Sequence, residues 1–156
     1  MPPQTIAPNL WLLHYPLRML GVNLGRNVAI IRLTSGKLIV HSTGPFTARD
    51  AVAMNALGEP AWIVDGLLRH DTFAREGCNA FPFARYLAPD GFSRSAGLPT
   101  EPLIPPPAEW AEEVTVAGID GAPQLGEVVM LIARPKPSSS LTSFSISARS
   151  MIYGQG

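Results

Sequence analysis

The sequence has few of the residues that staple small proteins together or hold metals. A single cysteine, Cys78, occurs in 156 residues, which excludes an internal disulfide and a zinc site built from several thiolates. Histidines number three, His14, His41 and His70. Charged residues make up only 15% of the chain, and Lys plus Arg equals Asp plus Glu at 12 each. With no cluster of Lys or Arg, a nucleic-acid partner is not expected. No apolar run reaches the roughly 18 residues of a membrane span. The opening MPPQTIAPNLW has no basic segment followed by an apolar one, so no signal peptide is expected. A cytoplasmic location is then expected by elimination. What remains is 46% hydrophobic, enough for one globular domain with its own core.

The order of apolar runs and breakers predicts an α/β chain. Residues Ile6 to Tyr15 read as a first strand ending at Pro16, and the β-branched run from Asn27 to Leu33 reads as another. Thr34-Ser35-Gly36-Lys37 is a turn signal, and Leu38 to His41 returns beside the preceding strand as a hairpin. From Thr47 the pattern becomes helical, with Thr47 as cap and Asp50 three residues on, until Gly58-Glu59-Pro60 stops it. Ala61 to Val64 is a short continuous apolar run, as in a strand buried on both faces. A helix follows over Thr72 to Phe81, then a strand over Arg85 to Leu87 stopped by Pro89. This alternation implies crossovers and a sheet with helices on its faces. The Pro/Gly-rich stretch from Pro89 to Pro107 reads as an extended loop. Val114 to Val116 and Val128 to Ile132 read as later strands around a turn at Asp120-Gly121.

Residues 136–156 break the pattern, being rich in serine where another buried strand is expected. With permissible codons the stretch from Lys136 reads, one frame over, as ALIVADLVFNFGPEHDLWAG, a strand followed by a turn. The expectation is a partial domain over residues 1–135 and an atypical tail over 136–156, produced by a frameshift or truncation.

The run APNLWLLHYPLRMLGVNLGRNVAIIRLTSGKLIVHSTGP resembles the opening of metallo-β-lactamase-like proteins. The run LLRHDTFAREGCNAFPFARYLAP resembles the centre of one branch of that superfamily, domain of unknown function 4336. The resemblance covers about Ala7 to Ile132, and the out-of-frame LIVADLVFN is similar to that branch's next strand. It implies an αββα sandwich, here incomplete at its C-terminus, with the active site where strand-end loops meet. The superfamily's hydrolases carry His-x-His-x-Asp-His to hold two metals that activate water. The equivalent stretch is His70-Asp71-Thr72-Phe73-Ala74-Arg75. Only His70 matches. Thr72, Ala74 and Arg75 stand where ligands would, and Arg75 is expected to bring a cation close to the metal position.

Two functions from different classes survive. One is a catalytically silent relative, a binding module for an unspecified small molecule or protein, with no cofactor. The other is a mononuclear metallo-hydrolase or oxidoreductase holding one zinc, iron or manganese ion through His41, His70 and Asp71, with Asp65 as another carboxylate in reach, since three protein ligands suffice. Against the second, each histidine can instead hydrogen-bond a carbonyl or carboxylate and order a loop, and His14, inside a strand, is read as structural. Ser42 follows His41 without a nucleophile elbow. Cys78 lies in a helix and reads as a small packing residue. Trp11, Trp62 and Trp110 are too dispersed for a stacking platform and read as anchors. A truncated sandwich would expose a sheet edge and favour a homo-oligomer.

Overall fold

The computed structural model describes residues 2–19, 21–119, 126–133 and 144–147. Seven strands form one mixed sheet in sequence order: β1 Gln4–Ala7, β2 Leu10–Met19, β3 Val22–Arg32, β4 Lys37–His41, β5 Glu59–Val64, β6 Arg85–Ala88 and β7 Glu101–Pro102. The first four pair antiparallel and β4 to β7 pair parallel. A second, antiparallel sheet holds β8 Val114–Gly118, β9 Val128–Ile132 and β10 Phe144–Ser147, in the order β10-β9-β8.

The parallel half needs crossovers, and helices supply them. Helix α1, Ala48–Leu57, joins β4 to β5 and begins on the expected capping box: the Thr47 hydroxyl accepts from the Asp50 amide and the Asp50 carboxylate accepts from the Thr47 amide. Such a cap contributes about 1 kcal/mol. A 3-10 turn at Asp71–Phe73 runs into α2, Ala74–Ala80, which joins β5 to β6. Helix α3, Phe92–Ala96, follows β6.

Side-chain alternation along the strands divides the core in two. Val28, Ile30, Leu38, Val40 and Ile63 face the helices and pack with Met54, Ala74, Phe81, Tyr86 and Phe92. Ala29, Ile31, Ile39, Trp62 and Val64 face the second sheet and pack with Trp110, Val114, Val128 and Met130. Trp62 and Trp110 meet edge to face, 5.9 Å between centroids, as core anchors. Trp11 is only partly buried, with the Arg32 guanidinium over its ring. The layers are helix, sheet, sheet, and no helix follows β8 among the described residues. This is the α/β sandwich expected of the sequence, lacking its outer helix layer among those residues.

Three expectations need correction. The first strand is two strands, because Asn9 turns the chain in a left-handed conformation (φ 61°) between β1 and β2. Pro16 does not end β2: β1 pairs no further than Leu12, so at Pro16 the strand is bonded only to β3 and the missing amide costs no ladder bond on the open side. The stretch after Pro89 is no bare loop, since it holds α3, between left-handed Gly91 and Gly97, and β7. The turn at Asp120-Gly121 lies outside the described residues, as does most of 136–156. Within that tail Phe144–Ser147 pairs with β9 despite its serines.

Candidate functional site

The C-terminal ends of β4, β5 and β6 gather most of the buried polar side chains among the described residues. Parity on β3 puts Arg26 on the helix side with Val28, and parity on β4 puts His41 on the inter-sheet side with Ile39. Asp65 follows β5, tied down by its amide to the Leu87 carbonyl at 3.1 Å. His70 closes the turn after it, its amide donating to the Leu67 carbonyl at 3.1 Å. All four are at most 5% exposed.

Arg26 organises this edge. Its Nε donates to the Thr43 carbonyl at 2.6 Å and its Nη2 to the His70 carbonyl at 3.3 Å. Nη2 also lies 3.7 Å from Asp65 Oδ1, and the guanidinium stacks 5.9 Å from the Phe73 ring centroid. Asp65 Oδ2 accepts from the Tyr86 hydroxyl and, at 3.3 Å, from Thr43 Oγ1. One guanidinium and one carboxylate thereby pin the turn after β4, the turn after β5 and strand β6 to each other. Burial pushes the Asp65 carboxyl up to about 7, even though Arg26, Tyr86 and Thr43 all favour its charged form. The same burial lowers the Arg26 pKa and raises the Tyr86 hydroxyl, with Asp65 adding to that rise.

The two histidines differ from their neighbours. Both ring nitrogens of His41 and both of His70 are buried without a hydrogen-bond partner among the described residues. The expectation that each imidazole bonds a carbonyl or carboxylate is therefore corrected. Burial, then Arg26, holds His41 down to about 4. Burial, Arg26 and His41 hold His70 down to about 3 against the opposing pull of Asp71. Both imidazoles are neutral near pH 7. Gly66 lets this region close: a Cβ there would lie 3.0 Å from the Val128 carbonyl oxygen and 3.4 Å from His41 Nε2. The Val128 amide in turn donates to the Gly66 carbonyl at 2.9 Å, joining the second sheet to the turn.

The remaining sequence candidates scatter. Asp71 lies next to His70, but its Oδ2 accepts from Ser95 Oγ at 2.5 Å, on α3. His14 is structural, its Nδ1 2.7 Å from Asn27 Oδ1 across the β2–β3 ladder. Ser42 is buried, with a left-handed backbone (φ 74°) that turns the chain out of β4. Cys78 packs half-buried on α2 against the helix-side core, and burial raises its thiol. Arg75 is exposed on α2, with Nη2 4.0 Å from where a Cβ on Gly97 would lie. The cation among the buried groups is Arg26. Sequence reading missed it, although an arginine two residues before the apolar run of the same strand, on the side-chain parity of Val28 and Ile30, is a signal that some buried anion must answer it. Among the described residues no group of three His, Cys, Asp or Glu side chains converges to hold a metal. No helix of the described residues is long and apolar enough to cross a membrane.

Solved structures share this fold. A metallo-β-lactamase from Hirschia baltica superposes with a TM-score of 0.59 at 17% identity, over 83% of this chain and 66% of that one. The metallo-β-lactamase FIM-1 from Pseudomonas aeruginosa, in a mono-zinc form, gives 0.59 at 13% identity, over 83% and 64%. One from Erythrobacter litoralis gives 0.61 at 13% identity, over 82% and 64%. The fold is that of the metallo-β-lactamases, and this chain spans about two-thirds of the length of these three structures. No protein-family model matches the sequence, and no curated protein does.

Proposed function

We propose that this chain is a catalytically silent relative of the metallo-β-lactamases, a binding module that works without a metal. The observation that carries this reading is the pairing of Arg26 with Asp65. A catalytic zinc takes three protein ligands and a water. The edge offers two imidazoles, but its buried carboxylate is engaged by Arg26, Tyr86 and Thr43, and Asp71 is engaged by Ser95. The residues present therefore do not fit a metal centre. Arg26 adds a fixed positive charge that lowers both histidine pKa values and opposes a second cation by the same field.

One observation favours the other reading, a single zinc, iron or manganese ion at His41 and His70: their four ring nitrogens are buried and unpartnered. One experiment decides. Purified protein should carry substoichiometric zinc, iron and manganese by mass spectrometry, and added Zn²⁺ should leave its melting temperature unchanged. Stoichiometric metal, lost in His41→Ala and His70→Ala, would establish the mononuclear site and end the metal-free reading.

The proposal extends to the origin of the sequence: a branch like domain of unknown function 4336, with a reading frame displaced from about Lys136. The resemblance of the displaced frame to a further strand supports it. The gene's own codons should spell that strand one frame over, and codons that do not would remove this part of the proposal.

A further inference from the structure

Arg26 stands on the part of β3 that pairs only with β2, since the β3–β4 ladder runs from Ala29 to Arg32. The groups that receive its guanidinium stand on other elements. They are the Thr43 carbonyl after β4, the Asp65 carboxylate after β5, and the His70 carbonyl and Phe73 ring further along. These groups are fixed by contacts that do not involve Arg26. The Ser42 amide donates to the Val64 carbonyl at 2.6 Å, and the Asp65 amide to that of Leu87. Asp65 Oδ2 accepts from Tyr86 and Thr43. Asp65 Oδ1 is buried without a hydrogen bond among the described residues, 3.7 Å from Arg26 Nη2. Helix α2 closes behind Thr43, for a Cβ on Gly77 would lie 2.6 Å from Thr43 Cγ2. Walls held in this way bind an occupant with little further cost of ordering.

Two carbonyls, a carboxylate and an aromatic face match a planar organic cation. The oxygens take its N–H donors, and the ring takes its face. Backbone carbonyls are not ligands that zinc favours. We infer that the edge is a guanidinium-binding site whose resident occupant is Arg26. This rests on the metal-free reading and deepens it by naming the cation that the edge takes, an organic one supplied by the chain. No covalent step is involved.

The test removes the occupant and returns it as a free molecule. Arg26→Ala keeps Cβ, and N-ethylguanidinium supplies the atoms lost beyond it. In EDTA at pH 8, ethylguanidinium should raise the melting temperature of Arg26→Ala with a Kd on the order of 1–10 mM, as suits so small a cation. Wild type, already occupied, should not respond. Neutral N-ethylurea, and propylammonium without the planar fork, should bind at least about ten-fold more weakly. Arg26→Ala combined with Asp65→Asn should lose most of the preference for ethylguanidinium over ethylurea. If Arg26→Ala is unfolded alone, ethylguanidinium should fold it, restoring the near-ultraviolet circular dichroism of buried Trp62 and Trp110. No response of Arg26→Ala, an equal response to ethylurea or propylammonium, or the same response in wild type overturns the inference. So does Zn²⁺, added without EDTA, binding Arg26→Ala more tightly than ethylguanidinium does. None of these outcomes touches the metal content of the wild type, which tests the metal-free reading separately.

Discussion

Replacing Arg26 by Met should destabilise the protein by roughly 3–5 kcal/mol at pH 8, the cost of removing one partner from a buried ion pair. The methionine keeps most of the apolar stem but leaves the carbonyls of Thr43 and His70 without their donor. It also leaves Asp65, fully buried, without its counter-charge. Asp65 can escape this penalty only by taking up a proton, so the loss should shrink as the pH falls toward 5.5. Arg26→Met combined with Asp65→Asn should recover a large part of the stability, because the uncompensated charge is gone. Arg26→Lys should not rescue, since one ammonium cannot reproduce the planar fork that reaches Thr43, His70 and Asp65 together. Urea unfolding of the wild type and these three variants measures all of this. A cost below about 1 kcal/mol for Arg26→Met would place the pair among ordinary surface ion pairs and remove the argument that it holds the edge together.

That cluster also marks where sequence reading stops. The hairpin of β3 and β4, the Thr47–Asp50 cap and the buried run before Val64 were legible because their signals are local: turn residues, cap spacing and β-branched runs act within a few residues of themselves. The sandwich was legible from resemblance as much as from pattern. Arg26 was not, because what makes it special is a partner, Asp65, reached only once β3, β4 and β5 lie side by side. The same holds for the histidines. His41 and His70 were picked out as residues, and the fold does bring them to one edge, but their common environment is set by burial first and by Arg26 second. Pro16 misled for a related reason, since a proline is tolerated inside a strand where one side of that strand is left unpaired, and that is settled only by where β1 stops.

The buried imidazoles should make the protein acid-sensitive between about pH 6.5 and 4. Both histidines have folded pKa values below their ordinary one, so in this window unfolding takes up a proton at each. Asp65 runs the other way. Its folded value is raised to about 7, so in the same window it is protonated when folded and releases that proton on unfolding. The sum is about one proton taken up per molecule unfolded, which lowers stability by about 1.4 kcal/mol for each pH unit of acidification. Over the whole window these three groups should cost roughly 3 kcal/mol, a large share of a small domain's typical stability. Asp65→Asn deletes the opposing proton, so its stability should start lower and fall about twice as steeply with acidification. A double substitution of His41 and His70 by Phe should flatten the curve or reverse its slope. Urea unfolding at a series of pH values from 7 to 4.5 reads these slopes separately from the offsets that packing changes introduce. A wild-type stability that is flat or rises on acidification would mean the imidazoles are not held neutral in the fold. The Asp65→Asn slope isolates the carboxylate, because only a group protonated in the folded state can oppose the histidines in this window.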